Sequence, residues 1–548
     1  MTQRLKIFLL LVFGLIWFSN LEYRKLVNPD EGRYAEIPRE MVASGDWTTP
    51  RLNGIKYFEK PALQYWATAA AYSLFGEHEW TARLWSALTG FLGVLMVFFT
   101  GRRLFGAEAG WCAALVLGSS LLWVLIGHVN TLDMGVSFFL SAAVCAFLLA
   151  QHDAADARAR TRWMLAAWAA LALAVLSKGL IGLVLPGATL VLYILIERDW
   201  RLPGRLRLAA GIALMLALTL PWFIAVSRAN PEFFHFFFIH EHFERFLTKE
   251  HGRYQPPYYF VPVLFAGTLP WTVTLVDALV RAWKRAPDKN FQAQRFLLLW
   301  AAVVFVFFSA SGSKLVSYIL PMFPALALLI GARLPQLGAR ALAWQTLAAA
   351  LAGIVLLALL PGIERYASRQ VPAELYRDYA AWLLVAGVLE IVGAVACASL
   401  AWRGRSAAAL AVLAFAGLAF AQLALSGHES LSRANSAYHI AQKIKTELKP
   451  GMPFYSVDTY DQSLQFYLQR STTMVAYRDE LGFGIAQEPE KFIPDLAQFE
   501  TTWNAEREAL ALMSPDTYET FRSKGLPMRL VARDTRRVVV ARGPVANR

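Results

Sequence analysis

From Trp85 to about residue 426 the sequence returns again and again to runs of about twenty apolar residues, rich in Leu, Ala, Val and Phe and parted by short polar loops. That recurrence limits the fold more than any motif does. No water is available in hydrocarbon for backbone amides and carbonyls, so a run of this length must satisfy them internally, as a helix or a closed barrel. Run length and leucine-rich composition select helices. About thirteen runs are recognisable, beginning near Ile7, Trp85, Trp111, Met134, Trp163, Leu180, Leu208, Tyr259, Phe296, Leu315, Ala341, Ala380 and Ala407. With 57% hydrophobic and 17% charged residues and a mean hydropathy of +0.40, the chain is expected to be a polytopic α-helical membrane protein.

The first run follows Arg4 and Lys6 as a signal peptide would, but no small-residue cleavage site comes after it, so a retained first helix is expected. The loops "GRRLFG", "QHDAADARARTR", "ERDWRLPGRLRL", "RAWKRAPDKNFQAQR", "GARLPQLGAR" and "WRGR" are basic and alternate with loops that mostly are not. Basic loops stay in the cytoplasm, so the N-terminus belongs there, and the long loops 22–82 and 227–258 belong on the opposite, periplasmic side of a bacterial inner membrane. The net charge of +13 (His neutral) fits that bias and an anionic lipid surface. Cys112, Cys145 and Cys397 all lie in apolar runs, with no disulfide or zinc spacing. After about residue 426 the pattern changes. "GMPFYSVDTY", "SLQFYLQR" and "TTMVAY" predict strand, helix, strand, and "MRLVARDTRRVVVARG" predicts a hairpin, so a membrane domain (1–426) is expected to be followed by a soluble periplasmic α/β domain (427–548).

The charges are unevenly placed. Residues 24–66, "RKLVNPDEGRYAEIPREMVASGDWTTPRLNGIKYFEKPALQYW", crowd acids and bases into one loop after the first helix. Part of this is helix-starting grammar: Asn28 as N-cap, Pro29 at the first helical position and Glu31 in a capping box. Asp30 and Arg33 need more, since their spacing sets them on one face a turn apart, and Glu36 with Arg39 repeats the arrangement. Tyr57, Phe58, Tyr65 and Trp66 read first as aromatics at a lipid surface. Glu59 and Lys60 precede Pro61, which holds Lys60 extended and sends the two side chains in different directions. On the same expected side lie "HVNTLD" with Asp133, "LSKGLIG" with Lys178, and "HFFFIHEHFERFLTKEHGRYQPP" with His240 and Arg245. An ionisable group at membrane depth costs roughly 2.5 to 3.5 kcal/mol, so Asp133 and Lys178 face a shared cavity or pair with each other. A metal held by His240 and a carboxylate such as Glu59 is open, although the spacing is loose and no HExxH occurs. There is no Walker A sequence, GxGxxG or DxD pair, which disfavours nucleotide chemistry.

The first loop, with "PDEGRYAEIPREM" followed by "GDWTTPRLNGIKYFEKPALQYW", together with the polytopic body and terminal domain, resembles the bacterial aminoarabinose transferases. These are GT-C glycosyltransferases related to the protein O-mannosyltransferases. The resemblance implies transfer of 4-amino-4-deoxy-L-arabinose from undecaprenyl phosphate to a phosphate of lipid A, with polymyxin and cationic-peptide resistance as the phenotype. It implies Asp30, Asp133 and Arg33 as catalytic residues, and Lys60, Arg245, Lys178 and Tyr57 as substrate-binding residues. It also implies Glu59 and His240 as ligands of a divalent metal, zinc first, with no nucleotide and no nucleic acid, in a chain acting as a monomer. Two other readings stand beside it: a polyprenyl phosphate sugar transferase using another sugar or a protein hydroxyl acceptor, and a lipid or ion transporter. Against the transporter, no paired broken helices and no internal repeat are visible.

Overall fold

A computed structural model describes residues 3–244, 255–286 and 289–543. The apolar runs all become helical. In order, α1 (Gln3–Phe18), α2 (Asp30–Ser44), α3 (Leu63–Phe75), α4 (Glu79–Phe105), α5 (Ala107–Ser119), α6 (Leu121–Gly127), α7 (Leu132–Gln151), α8 (Ala157–Lys178) and α9 (Ile181–Glu197) are followed by the long helices Leu208–Ala229, Ala293–Ala310, Ala339–Leu359, Ala373–Trp402 and Ser406–Gly427. Among the described residues nine helices are long and apolar enough to cross a membrane, or up to eleven if each of two bent pairs is one span. The chain is a multi-pass membrane protein. The runs beginning near Ile7 and Leu180 give helices of 16 and 17 residues, short of the roughly 20 a perpendicular span needs.

The bent pairs correct the expectation of unbroken helices: α5 and α6 meet at 61°, and Pro257–Gly267 meets Thr272–Ala282 at 113°. At the first break Ser120 is extended (φ −63°, ψ 121°), so the helical ladder cannot run through it. The Trp271 indole from the second pair donates to Ser119 Oγ at 2.9 Å beside that break. α7 is the central helix, with 89% of its span window buried inside the protein. A carboxylate in its first turn, Asp133, therefore meets protein and not lipid.

The first loop holds a short antiparallel pair, β1 (Arg51–Leu52) and β2 (Ile55–Lys56), and the C-terminal segments form one six-stranded sheet of order β5-β4-β3-β6-β8-β7, where β3 is Phe454–Val457, β4 Thr473–Val475, β5 Phe492–Ile493, β6 Ala509–Met513, β7 Arg529–Arg533 and β8 Val538–Arg542. β3 pairs parallel with β4 and β6, while β6, β8 and β7 pair antiparallel. Every residue of β3 and β6 is buried, as strands covered on both faces require. The edge strand β7 carries Arg529 and Arg533 and an irregular register between Leu530 and Ala532, features that discourage pairing with another chain.

This domain seats directly on α2. A Cβ at Gly32 would stand 2.5 Å from the Ser463 nitrogen and 2.6 Å from the Gln462 carbonyl carbon, both backbone atoms at the start of helix Gln462–Leu468. Only glycine permits that approach. Replacing Gly32 with alanine is expected to destabilise the protein by about 1–3 kcal/mol through overpacking and to expose the junction to protease. A lowered unfolding midpoint with faster cleavage ahead of residue 454 is the readout; an unchanged midpoint rejects the account.

Candidate active site

Helix α2 starts one residue later than its sequence suggests. Its N-cap is Pro29, with no side-chain cap, and Asn28 Oδ1 instead accepts from the Gln462 amide at 3.1 Å, serving the terminal domain's helix. Glu31 reaches back to the Val27 amide at 3.0 Å, as a capping box would, but tertiary contacts dominate it. Arg83 from the first turns of α4 grips both its carboxylate oxygens at 2.7 and 2.8 Å, and the Asn130 amide donates to Oε1 at 3.0 Å. Arg83 also donates to the carbonyls of Leu21, Arg24 and Lys25. Burial pushes the Glu31 carboxyl up, but the Arg83 guanidinium outweighs it and holds the group at about 2. This pair ties α2, which carries Asp30, to the segment leading into Asp133.

The two carboxylates expected at the centre have different surroundings. Asp133 is fully engaged: Lys178 Nζ pairs with Oδ1, and Ser317 Oγ donates to Oδ2 at 2.7 Å. Both expected arrangements of Asp133 and Lys178 are met together, since the pair lines a water-sized cavity of about 20 Å³ with Ser317 and Tyr318. The Lys178 ammonium also lies 4.9 Å from the Tyr318 ring centroid. Asp30, in contrast, has one long bond among the described residues, 3.3 Å from Arg33 Nη1, and its side chain is 41% exposed. Of the two carboxylates it is the more exposed. The Asp30 charge acts on Lys178 and the Lys60 charge on Asp133, so the four groups share one electrostatic neighbourhood.

Arg33 faces α2's partner as well as Asp30. Its second Nη pairs with Glu480, a half-buried acid from the turn after β4. Glu36 and Arg39 repeat the pair a turn later, at 2.6 and 2.7 Å. Burial raises the Glu480 carboxyl above its ordinary value, and Arg33 pulls it back. Burial and the nearby Glu59 charge also raise the Tyr57 hydroxyl well above the usual phenol range. Glu59 and Lys60 do not diverge as expected, because Lys60 Nζ folds back to the Glu59 carbonyl at 2.7 Å and lies 3.8 Å from its carboxylate.

The aromatics of the loop are corrected too. Tyr57, Phe58 and Tyr65 are at most 2% exposed and serve as core, not as a lipid-surface belt. Phe58 meets Phe233 edge-on at 5.3 Å and approaches Phe483 of the terminal domain at 6.1 Å, while Phe483 stacks on Phe236 at 3.8 Å. A second domain covers the face that a lone loop would have turned to the membrane. The same burial leaves several polar atoms enclosed. Arg33 Nε, the hydroxyls of Tyr57, Tyr65 and Tyr460, and Gln462 Oε1 are all buried with no hydrogen-bond partner among the described residues. Buried polar groups are ordinarily satisfied, so a cluster of orphans fits a ligand bearing several hydroxyls or amines.

Arg245 and the His240 side chain lie outside the described residues. Among the described residues no three His, Cys, Asp or Glu side chains converge as a metal site would need. Glu480, Gln462, Ser317 and Tyr318 were not anticipated. The signals existed, in the polar break "SGSKLVSY" inside an apolar stretch and in the acidic turn "YRDELGFG".

Residues 4–237 match the family described as dolichyl-phosphate-mannose-protein mannosyltransferase, and residues 440–542 match the aminoarabinose transferase C-terminal domain. An undecaprenyl phosphate-alpha-4-amino-4-deoxy-L-arabinose arabinosyl transferase of Erwinia tasmaniensis is 34% identical over 338 residues, 61% of this chain and 60% of its own. The chain spans 67% of the corresponding Enterobacter protein at 33% identity. The Archaeoglobus fulgidus oligosaccharyltransferase shares the fold at a TM-score of 0.52 and 14% identity, covering 95% of this chain and 68% of that one. ArnT from Cupriavidus metallidurans, solved bound to undecaprenyl phosphate, superposes at a TM-score of 0.95 and 42% identity over 99% of this chain and 100% of that one. Agreement at that level runs through membrane bundle, first loop and terminal sheet alike, and it places the chain in the aminoarabinose transferase family, with the GT-C fold.

Proposed function

We infer that the protein transfers 4-amino-4-deoxy-L-arabinose from undecaprenyl phosphate to a phosphate group of lipid A. The observation that carries this reading is the end-to-end likeness to ArnT, joined to a site whose half-exposed carboxylate and orphan polar atoms suit an aminosugar. The reaction takes place at the periplasmic face of the inner membrane, with the basic loops and the N-terminus in the cytoplasm. Capping a lipid A phosphate with a cationic sugar lowers the negative surface charge, and resistance to polymyxin and cationic peptides follows.

In the reaction the anomeric C–O bond breaks with its electron pair passing to undecaprenyl phosphate, while an acceptor phosphate oxygen bonds the same carbon from the opposite face. Charge grows on the departing phosphate, so fixed cations there favour the transition state. Lys60 supplies a point charge and Arg245 a planar fork. The acceptor phosphate is already anionic near neutral pH and needs no strong base. Asp30 therefore steadies the positive charge developing on the sugar ring. Asp133, held by Lys178 and Ser317, sets the field on the facing side, and Arg33, Glu480 and Tyr57 enclose the sugar. The proposed divalent ion at Glu59 and His240, zinc first, is a fastening for the histidine-rich segment and enters no step.

The test is mass spectrometry of lipid A incubated with the purified protein and the undecaprenyl-linked aminosugar, with the anomeric configuration read by NMR. One added aminoarabinose per modified phosphate, inverted at the anomeric carbon, is expected. No added mass sinks the substrate assignment, and retained configuration sinks the single displacement. Chelator treatment is expected to lower the rate less than tenfold, because a fastening ion contributes placement and not chemistry; complete, zinc-restored loss of activity contradicts that role.

A further inference from the structure

We propose that Gln462, a residue of the C-terminal domain, is a specificity-determining residue that accepts a hydrogen bond from the donor sugar's ammonium group through Oε1. The inference rests on the aminosugar reading above and goes beyond it by naming what reads the amine. Gln462 opens a short helix whose backbone abuts Gly32, and its own amide nitrogen is fixed by Asn28 Oδ1 at 3.1 Å, two residues before Asp30. Its side chain is buried, and Nε2 lies 2.5 Å from Glu480 Oε1. A carboxylate can only accept, so the nitrogen end of the amide must face Glu480. That contact fixes the oxygen end away from the carboxylate, where it is buried and has no partner among the described residues.

The orphan atoms are chemically distinct. Arg33 Nε can only donate, and the tyrosine hydroxyls can do either. Gln462 Oε1 can only accept. Buried amide oxygens on Asn20, Gln64, Gln345 and Gln465 also lack a partner among the described residues; Gln462 stands out because its amide nitrogen donates to Glu480, the partner of Arg33. A sugar hydroxyl would satisfy Gln462 Oε1, but an ammonium gains twice, since Glu480 places a negative charge at the other end of the same amide. Glu480 is already paired with Arg33, so it supplies field without collapsing onto the ligand. A neutral carbonyl beside a partly neutralised carboxylate selects a cation while still releasing it after transfer.

The experiment uses the full-length protein in lipid nanodiscs with two donors: the undecaprenyl-linked aminosugar and the same donor with its amine acetylated. The readout is the ratio of kcat/KM for the two. Gln462→Met removes both the bond to Glu480 and the acceptor. Gln462→Lys keeps a donor to Glu480 and replaces the acceptor with a cation. Binding of undecaprenyl phosphate alone reports on folding. Expected are a strong preference for the free amine in the unsubstituted protein and a loss of that preference of at least tenfold in both variants. The effect should appear mainly in the donor KM, with carrier binding unchanged. If Gln462→Lys restores the preference lost in Gln462→Met, the amide only holds Glu480 and the acceptor role is overturned. Loss of carrier binding in both variants makes Gln462 a fastening of the domain and overturns it equally. An unsubstituted protein that transfers both donors alike overturns this inference and leaves the transferase reading standing. One that transfers neither overturns that reading, and this inference falls with it.

Discussion

Replacing Asp30 with asparagine is expected to lower sugar transfer by about a hundred- to a thousandfold while leaving the protein folded and able to bind undecaprenyl phosphate. The asparagine keeps the shape and one oxygen for Arg33, whose present bond to Asp30 is long at 3.3 Å. Only the charge is lost. Asp30 is the more exposed carboxylate, whereas Asp133 already has both oxygens committed to Lys178 and Ser317. Turnover measured at saturating donor separates the possibilities. A drop in kcat with little change in carrier affinity places Asp30 at the reacting carbon. A variant within a few-fold of the starting rate removes it from the chemistry. Asp133→Asn should behave differently, losing folded protein as well as rate, because it leaves the Lys178 cation enclosed without its counter-ion.

The second large effect concerns stability. Glu31→Gln is expected to cost about 3–5 kcal/mol, the range for breaking one side of a buried ion pair. Arg83 would keep its three backbone carbonyls and at most one bond, to the glutamine oxygen, and it would stand near the buried Arg24 without the Glu31 charge. The pH dependence gives an independent reading. The Glu31 carboxyl is held at about 2 in the folded protein against an ordinary value of 4.5, so its contribution is fully present above the ordinary value. That contribution declines as pH falls from there toward about 2, where the folded-state group finally takes its proton. Unfolding free energies of the two proteins should therefore differ most at neutral pH and converge on acidification through that window. Equal stabilities at pH 7, or a difference that grows in acid, would show that the Glu31 charge does not hold α2 in place.

The membrane class was written in the runs themselves, because hydrocarbon leaves a backbone few solutions and each run carries its answer locally. The strand and hairpin segments after residue 450 were legible for the same reason: alternation and turn residues act over a few positions. The charged face pairing Asp30 with Arg33 and Glu36 with Arg39 was legible from helical spacing alone. The helix start was not, since the Asn28 side chain went to Gln462, more than four hundred residues away, instead of capping its own helix.

What the sequence determined by itself was thus a polytopic helical body, a small α/β domain and a first loop with the charges of a lipid-linked sugar transferase. Only the tertiary structure decided which of those charges are free to act. It paired Asp133 with Lys178, buried the loop aromatics under Phe483, and left Asp30 open. It also brought Glu480 and Gln462 from the terminal domain to Arg33 and the start of α2. The physical reason is range. Helix and strand periodicity is set by neighbours within a few residues, whereas whether a charge is neutralised or exposed depends on partners that the chain brings together only when it folds.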